Sequence, residues 1–133
     1  MMVWTPEMSV GVALIDRQHQ EFVGLINELA ESTKTGRAQV TTGLVLMKLD
    51  SYARYHFSTE EEYFAVFNFE GAEEHILAHR QLSKRLTDFI DRFYNRNETI
   101  TEDLAVFLME WLENHLKTMD RKYTRCFNEH GLY

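Results

Sequence analysis

The stretch EEHILAHRQL, residues 73–82, places two histidines four positions apart. Residues four apart lie on the same face of an α-helix, so His75 and His79 would project to one side. Apolar residues continue this face at spacings of three and four, through Leu82 and Leu86, which is typical of an amphipathic helix. The stretch alone leaves open whether the two imidazoles are ordinary core residues or half of a metal site.

The same periodicity recurs along most of the chain and predicts four helices. Short connections between helices place consecutive helices antiparallel. No segment shows the alternation of apolar and polar residues that marks a strand. We therefore expect one all-α domain over residues 1–133, an up-down-up-down antiparallel four-helix bundle. The predicted helices span about residues 15–35, 40–67, 71–95 and 100–119, and a short helical tail covers about residues 120–128.

Several residues indicate where these elements begin and end. Gly36 follows the first helix and is a typical stop signal. Thr99 and the glutamate three positions later have the spacing of a capping box at the start of the fourth helix. Ahead of the first helix, residues 1–14 are expected to form an extended arm that contacts the bundle through Trp4 and Val10.

The composition narrows the class of protein. The chain has 133 residues, 44% of them hydrophobic, with one proline and six glycines, which suits a helix-rich chain with a sizeable core. It carries 21 acidic and 14 basic residues, a net charge of −7. Because nucleic-acid binding requires a basic face, this balance argues against such a partner. The basic cluster of Arg121, Lys122 and Arg125 is therefore expected to be a solvated helix end.

The sequence also bears on location. A single cysteine, Cys126, excludes an internal disulfide and is expected to be a buried or half-buried apolar residue. The opening MMVWTPEMSVGV lacks a basic stretch followed by an apolar one, so no signal peptide is expected. No run approaches the ~20 apolar residues of a membrane span. We expect a soluble, cytoplasmic protein without membrane insertion, of a size and charge that suit a monomer.

Five of the six histidines fall on the apolar faces of the predicted helices. Because consecutive helices run in opposite directions, all five would lie toward one end of the bundle, within about two or three turns at ~1.5 Å per residue. Buried imidazoles need hydrogen-bond partners or a metal, since an unpaired polar group in a core is costly. His130 is expected in the solvated tail. The other five are His19, His56, His75, His79 and His115.

Two carboxylates are predicted at the same depth. Glu60 lies one turn beyond His56, and Asp120 lies five residues beyond His115. An inward-facing carboxylate is rare unless it is paired or bound to a cation. Five residues of a regular α-helix turn through ~500°, which would leave Asp120 about 140° away from His115. A bend, a π-type turn or a break is therefore predicted between them.

The mixture of side chains constrains the metal. Five imidazoles and two carboxylates exceed the ligands of one zinc ion, and HILAH lacks the glutamate of the HExxH zinc-protease helix. Iron, copper and zinc all suit imidazole-rich sites. If both carboxylates bridge two octahedral ions, the side chains and one bridging oxide or hydroxide would fill about eleven of roughly twelve positions. The remaining position could bind a small molecule.

With these candidate ligands, the chain resembles a known family, the bacterial hemerythrins or bacteriohemerythrins. The resemblance covers nearly the whole length, and every ligand type falls at the family's spacing. One such motif alone would be weak evidence for the family, but all of the motifs in the family's order are highly specific for it. The matching pieces are IDRQH at 15–19, HFSTEE at 56–61, HILAH at 75–79 and WLENHLKTMDRKY at 111–123.

The resemblance implies two non-haem irons joined by an oxo or hydroxo bridge. One iron would have three histidines, the other two, and two carboxylates would bridge them. In the family, dioxygen binds at the open position of the two-histidine iron as a hydroperoxide, with one electron from each iron and a proton from the bridging hydroxide. Release reverses these steps. The matching residues are His75, His79 and His115 for the first iron, His19 and His56 for the second, and Glu60 and Asp120 for the bridges.

The resemblance also implies an apolar pocket around the open position, which would slow proton entry and the loss of superoxide. Two departures from the family pattern put the pocket shape and a loop conformation in question. Phe64 stands where many relatives have methionine, and NFEG, which includes Glu70, replaces a common YP before the third helix. The implied pocket residues are Phe22, Phe57, Trp111, Leu112 and Leu116.

Reversible dioxygen binding by a carrier, storage or delivery protein, rather than catalysis, is the function that the resemblance favours. Ferritin-like di-iron enzymes use E-x-x-H pairs, and this sequence contains none. Handling of peroxide, nitric oxide or iron at the same centre stays open. Oxygen or redox sensing also stays open. Sensors usually join such a bundle to an output domain, for which 133 residues leave no room, so sensing would be expected to act through a partner protein.

Overall fold

The fold is a bundle of four long helices in a computed structural model that describes residues 1–34, 39–99 and 102–133. The first helix packs against the second and the fourth, and the second packs against the third. Within the described ranges there is no strand, and the prediction of an all-α four-helix bundle is confirmed. The helices are α1 (Ala13–Lys34), α2 (Gln39–Val66), α3 (Ala72–Asn95) and α4 (Glu102–Thr118).

The helix boundaries lie close to the predicted ones. α1 begins at Ala13, two residues earlier than expected, and α3 begins at Ala72, one residue later. The predicted end of α1 at Gly36 lies outside the described residues. The predicted capping box runs from Thr99 to Glu102, and the two residues between them also lie outside the described part of the chain.

The core forms because the apolar stripe of each helix faces the inside of the bundle. The stripe predicted for α1 is buried throughout, with no member more than 1% exposed. In α2, Leu46 and Leu49 are equally buried, and truncating such a leucine to alanine would cost about 2–5 kcal/mol. The stripe of α1 consists of Ile15, His19, Phe22, Ile26 and Leu29.

The N-terminal arm is partly helical, which corrects the prediction of a fully extended segment. Pro6–Met8 form a 3₁₀ turn that begins at the proline, whose fixed φ suits the first position of a helix. Asp16 then accepts hydrogen bonds from the Ser9 hydroxyl and the Val10 amide, which fixes the entry into α1. Val10 is buried and Trp4 is half-buried, so the arm does pack on the bundle.

Helix α4 is interrupted beyond His115. It ends at Thr118, and a 3₁₀ turn over Asp120–Tyr123 connects it to a short helix, α5 (Thr124–Glu129). A 3₁₀ turn winds more tightly than an α-helix, and this change of winding accompanies the return of Asp120 to within 3.0 Å of His115. The irregularity predicted from the spacing of these two residues is therefore present.

The C-terminal segment contacts the N-terminal arm. The Thr124 hydroxyl donates to the Val10 carbonyl at 2.6 Å, and the Arg121 guanidinium donates to the Glu7 carbonyl. Gly11 lies beside this contact with a φ of +73°, a left-handed conformation that favours glycine. A Cβ on Gly11 would also meet the Thr124 methyl group at 3.0 Å. The arm and the tail therefore form one unit beside the start of α1.

A closed turn joins α2 to α3 through the NFEG segment. Asn68 has a φ of +50°, which asparagine tolerates better than most residues. The Phe69 amide donates to the Phe64 carbonyl at 2.9 Å, which ends α2 in the manner of a Schellman motif. The Phe69 ring also lies 5.2 Å from the Phe64 ring. This turn leads directly into the first turn of α3, which carries His75.

The surface holds several residues singled out in the sequence. The basic side chains Arg121, Lys122 and Arg125 are exposed, as predicted. Cys126 is a half-buried free thiol. His130 is exposed, although its ring stacks on Phe67 at 4.6 Å. Among the described residues, no helix combines the length and the hydropathy needed to cross a bilayer.

Candidate metal centre

The seven candidate ligands lie together at one end of the bundle, and each of the four helices contributes at least one. Every one is buried, with at most 4% of its surface exposed. This burial follows from their positions on the inner helix faces. They are His19 on α1, His56 and Glu60 on α2, His75 and His79 on α3, His115 on α4, and Asp120 on the turn after α4.

The candidate ligand atoms fall into two overlapping groups. The three-histidine group combines His75, His79 and His115 with both carboxylates, and the two-histidine group combines His19 and His56 with the same two carboxylates. Within each group, one ligand atom per residue lies within 4.8 Å of all the others. Each group could therefore surround one ion, and the carboxylates could serve both.

Asp120 faces the two groups with different oxygens. Its Oδ2 lies 3.0 Å from Nε2 of His19. Its Oδ1 lies 2.8 Å from Nε2 of His75 and 3.0 Å from Nε2 of His115. A carboxylate turned in this way could donate one oxygen to each of two ions.

Glu60 also lies between the groups, next to one histidine of each. Its Oε1 is 3.0 Å from Nε2 of His56 and 3.3 Å from Nε2 of His79. The opposite nitrogens of these rings have partners as well. Nδ1–H of His56 donates to Gln18 at 2.7 Å, and Nδ1–H of His79 donates to Glu61 at 2.8 Å. In this tautomer the Nε2 lone pairs face the centre, as metal binding requires.

The inward-facing atoms lack well-aligned hydrogen-bond partners although they lie close together. Among the described residues, both oxygens of each carboxylate and Nε2 of His19 and His79 are buried without such a partner. Nε2 of His75 and Nε2 of His115 face each other at 3.1 Å. The unpaired oxygens and the unpaired nitrogens of His19 and His79 are costly in a core, and cations at the point of convergence would satisfy them. The residues therefore fit a pair of metal ions.

The electrostatics of the metal-free cluster also favour bound positive charge. Burial and the neighbouring Asp120 both oppose the ionisation of Glu60, but His56 and His79 outweigh them and hold its pKa below the ordinary value. Burial opposes the ionisation of Asp120 too, and His115 is the main cause that holds that pKa well below its usual range. Burial disfavours the charged form of His115, but Asp120 raises its pKa. The cluster thus attracts protons or metal ions.

Aromatic rings stack on every histidine of the three-histidine group. The stacked planes deviate from parallel by 8° to 24°. Such stacking restricts the rotation of an imidazole and adds to its burial. The pairs, with their centroid distances, are Phe57 on His79 (3.9 Å), Trp111 on His115 (4.4 Å) and Tyr123 on His75 (5.6 Å).

The five residues implied as the oxygen pocket are distributed around both groups. Phe22 lies against the two-histidine group, with its ring edge-on to His56 at 6.4 Å. Phe57 and Trp111 stack on the three-histidine group and lie 6.0 Å from each other. The other two are buried in the core, and they are Leu112 and Leu116.

Besides Tyr123, two aromatic neighbours of the centre were not identified from the sequence. Trp4 of the N-terminal arm lies 6.5 Å from the His19 ring. Phe64, noted only as a departure from the family pattern, lies 4.8 Å from the His75 ring. No periodicity within one helix can indicate such contacts, because they depend on how separate segments pack.

Gln18 and Glu61 were also missed as partners of candidate ligands. Each directly neighbours a candidate ligand in the motif pieces IDRQH and HFSTEE, which places them near the centre. However, adjacent helical residues point ~100° apart, so each reaches a histidine on a different helix from its own. The buried Tyr123 was missed as well, and burial raises its pKa well above the ordinary value, aided by the charges of Glu60 and Asp120.

The fold and this cluster together define a four-helix bundle with a buried histidine–carboxylate centre suited to cations. The model of the family described as "Hemerythrin HHE cation binding domain" matches residues 10–126. The chain therefore belongs to the hemerythrin family.

Individual relatives agree with this assignment. The chain is 27% identical over 130 residues to a bacteriohemerythrin of Stenotrophomonas maltophilia, an alignment that covers 98% of this chain and 84% of the relative. It is 28% identical over 121 residues to a myohemerythrin of Riftia pachyptila, with 91% and 89% covered. A crystal structure of wild-type hemerythrin superposes with a TM-score of 0.91 at 27% identity, over 95% of this chain and 97% of that one.

Proposed function

We propose that this chain acts as a single domain that binds dioxygen reversibly at two non-haem irons, as a carrier, storage or delivery protein rather than an enzyme. The observation that carries the proposal is the pair of overlapping ligand groups that share Glu60 and Asp120. Shared carboxylates suit two ions held close together. The family's description as a cation-binding domain and the hemerythrin names of the relatives support the choice of ligand.

In this proposal each group holds one iron, and both carboxylates bridge the pair. His75, His79 and His115 would hold one iron, and His19 and His56 would hold the other, so the second iron would have one protein ligand fewer. The irons would supply the capacity to bind dioxygen, and the two-histidine position would have more room for it.

The residues of the chain favour binding over further chemistry. When bound, the irons supply the electrons for a reversible dioxygen complex. A centre rich in neutral imidazoles carries less negative charge than the carboxylate-rich bundles of the ferritin-like proteins, so it stabilises high-valent iron less well. The buried side chains Phe22, Leu112 and Leu116 exclude water and slow the delivery of protons to the centre.

Metal analysis and absorption spectroscopy test this proposal. Protein loaded with ferrous iron without oxygen is expected to hold two irons per chain and to be colourless. Air should produce the absorption bands of an oxygenated iron pair, and evacuation should remove them. A His130→Ala variant, changed at an exposed histidine outside the centre, should behave in the same way. One iron per chain, or bands that evacuation leaves unchanged, would contradict the proposal.

A further inference from the structure

Two hydrogen-bond acceptors behind the candidate ligands differ in charge. We infer that Glu61 and Gln18 are positioning residues that make the two metal positions unequal, so that the three-histidine position holds its ion more tightly than the two-histidine position. The inference rests on the proposed function, because it requires two ions at the centre. Neither residue is among the candidate ligands.

Glu61 acts on His79 from the side opposite the centre. Its Oε2 lies 2.8 Å from Nδ1 of His79, while Oε1 of Glu60 lies 3.3 Å from Nε2 of the same ring. The Glu61 carboxylate therefore accepts the Nδ1–H of His79, while Nε2, which has no hydrogen-bond partner among the described residues, faces the centre with its lone pair. The Phe57 ring stacks on the face of this imidazole at 3.9 Å, so the orientation and the tautomer of His79 are both constrained.

Gln18 occupies the equivalent place behind His56 but carries no charge. Its Oε1 lies 2.7 Å from Nδ1 of His56, and its amide nitrogen lies 3.4 Å from the Thr59 hydroxyl. The Thr59 hydroxyl itself donates to the Tyr55 carbonyl at 3.1 Å, so its oxygen is left to accept from the Gln18 amide. This chain of bonds fixes Gln18 as a neutral acceptor toward the imidazole.

The difference in charge determines the donor strength of the two imidazoles. A carboxylate that accepts the outer N–H of a ligating histidine makes the ring a stronger donor than a neutral acceptor does. Hydrogen bonds with one ionised partner are roughly twice as strong as neutral ones. The Glu61 side chain is 32% exposed, which weakens its effect by solvent screening. We therefore expect an effect on affinity at the low end of the 10–100-fold range found for such partners.

Metal retention tests the inference directly. The full-length protein is loaded with two cobaltous ions and then exposed to increasing concentrations of a chelator, while the cobalt d–d bands report how much metal remains. Two separate steps of metal loss are expected. In Glu61→Gln, the tighter step should weaken by about 10-fold while the weaker step stays in place. In Gln18→Glu, the weaker step should move toward the tighter one.

Matched controls separate position from net charge. Glu62→Gln makes the same change of charge one residue away from Glu61, and Gln20→Glu does so two residues away from Gln18. Both of these residues are exposed, so both variants should reproduce the two steps of the unchanged protein. An equal weakening in Glu61→Gln and Glu62→Gln would overturn the inference. Because Gln18 is buried and its charged variant can fail to fold, the result at the partly exposed Glu61 decides the outcome.

Proton NMR of the cobalt-loaded protein provides a second readout that a purely structural role would not change. Imidazole N–H protons of bound histidines are shifted far outside the normal range by the paramagnetic ion. Glu61→Gln is expected to move the N–H signal of His79 and leave the other shifted N–H signals in place. Two bound ions with a single affinity, unaffected by Glu61→Gln, would overturn this inference alone. A single bound ion would overturn the proposed function as well.

Discussion

The two halves of the candidate centre are built differently. Each ring of the three-histidine group has an aromatic ring stacked on it, at 3.9 to 5.6 Å. The rings of the two-histidine group meet each other edge-on at 4.6 Å, and the other aromatic rings near them lie tilted or edge-on at 5.9 Å or more. Stacked rings restrict imidazole rotation. One half is thus packed face to face against aromatic side chains, while the two imidazoles of the other half are not.

The largest effect is expected at Asp120, which both halves share. Asp120→Asn keeps the shape of the side chain but removes its negative charge, and we expect the loss of at least one of the two ions and of all dioxygen binding. Metal content per chain after gel filtration measures the first effect. Asp103→Asn, at an exposed acid of α4, is the matched control and should retain both ions. Retention of two ions and of oxygen binding in Asp120→Asn would disprove the shared role.

The next effect separates the halves from each other. His19→Ala removes one ligand from the two-histidine position, so the variant should keep one iron, held by the stacked half, and lose oxygen binding. His75→Ala removes a candidate ligand of the three-histidine position together with a ring that stacks on the buried Tyr123, so it should also loosen the turn that carries Asp120 and lower the content of both ions. Iron analysis and oxygen difference spectra measure both variants. Equal iron content in the two variants would show that the halves do not differ as described.

Stacking itself can be measured with a pair of phenylalanines. Phe57→Leu removes a ring stacked on His79, whereas Phe22→Leu removes a ring that meets His56 only at its edge. Both side chains are buried, so both variants lose packing. Phe57→Leu should cost more, by up to about 1 kcal/mol, because its ring lies 3.9 Å from His79, whereas the rings nearest to Phe22 lie 6.4 Å away. Urea unfolding of the metal-free proteins measures this difference, and equal costs would argue against a role for stacking.

The smallest effect concerns pH in the metal-free protein. Burial disfavours charged His115, but Asp120 raises its pKa above the ordinary value. Protonated His115 therefore stabilises the folded protein fully below about pH 6.5, and this contribution is lost as the pH rises through the raised pKa. Burial opposes ionisation of Asp120, but His115 lowers its pKa, and this stabilisation is present above about pH 4 and is lost in acid. Maximum stability is therefore expected between these limits.

Urea unfolding at a series of pH values provides the measurement. In the metal-loaded protein, the ions take the place of the protons, so the loss of stability above about pH 6.5 should be absent. If both forms lost stability equally above this pH, the ion pairs of the metal-free cluster would not be the cause.

Helical register explains how much of the centre could be predicted from the sequence. The spacing of His75 and His79, and that of His56 and Glu60, follows from the turn of an α-helix and needs no knowledge of neighbouring helices. The angle between His115 and Asp120 on a regular helix also predicted that α4 must be interrupted. The structure brings these residues together at one end of the bundle.

The remaining features depend on packing between segments. Glu61 reaches His79 only because α3 lies beside that face of α2, and Phe57 stacks on the same ring for the same reason. The placement of Trp4 near His19 depends on the path of the arm, which turns at Pro6 where an extended segment was predicted. Such contacts have no periodic signal, so a single sequence cannot indicate which ring or carboxylate faces which ligand.

The interruption of α4 after Thr118 links metal binding at the centre to the exposed contact between the two chain ends. Asp120 sits on a turn beyond α4 rather than within a continuous rod, and the same turn leads to the contacts of Arg121 with Glu7 and of Thr124 with Val10. Ions bound by Asp120 would hold this turn in place and would thereby stabilise the contact between the N-terminal arm and the C-terminal segment. Trypsin should therefore cleave after the exposed Arg121 and Lys122 faster when the metal is stripped.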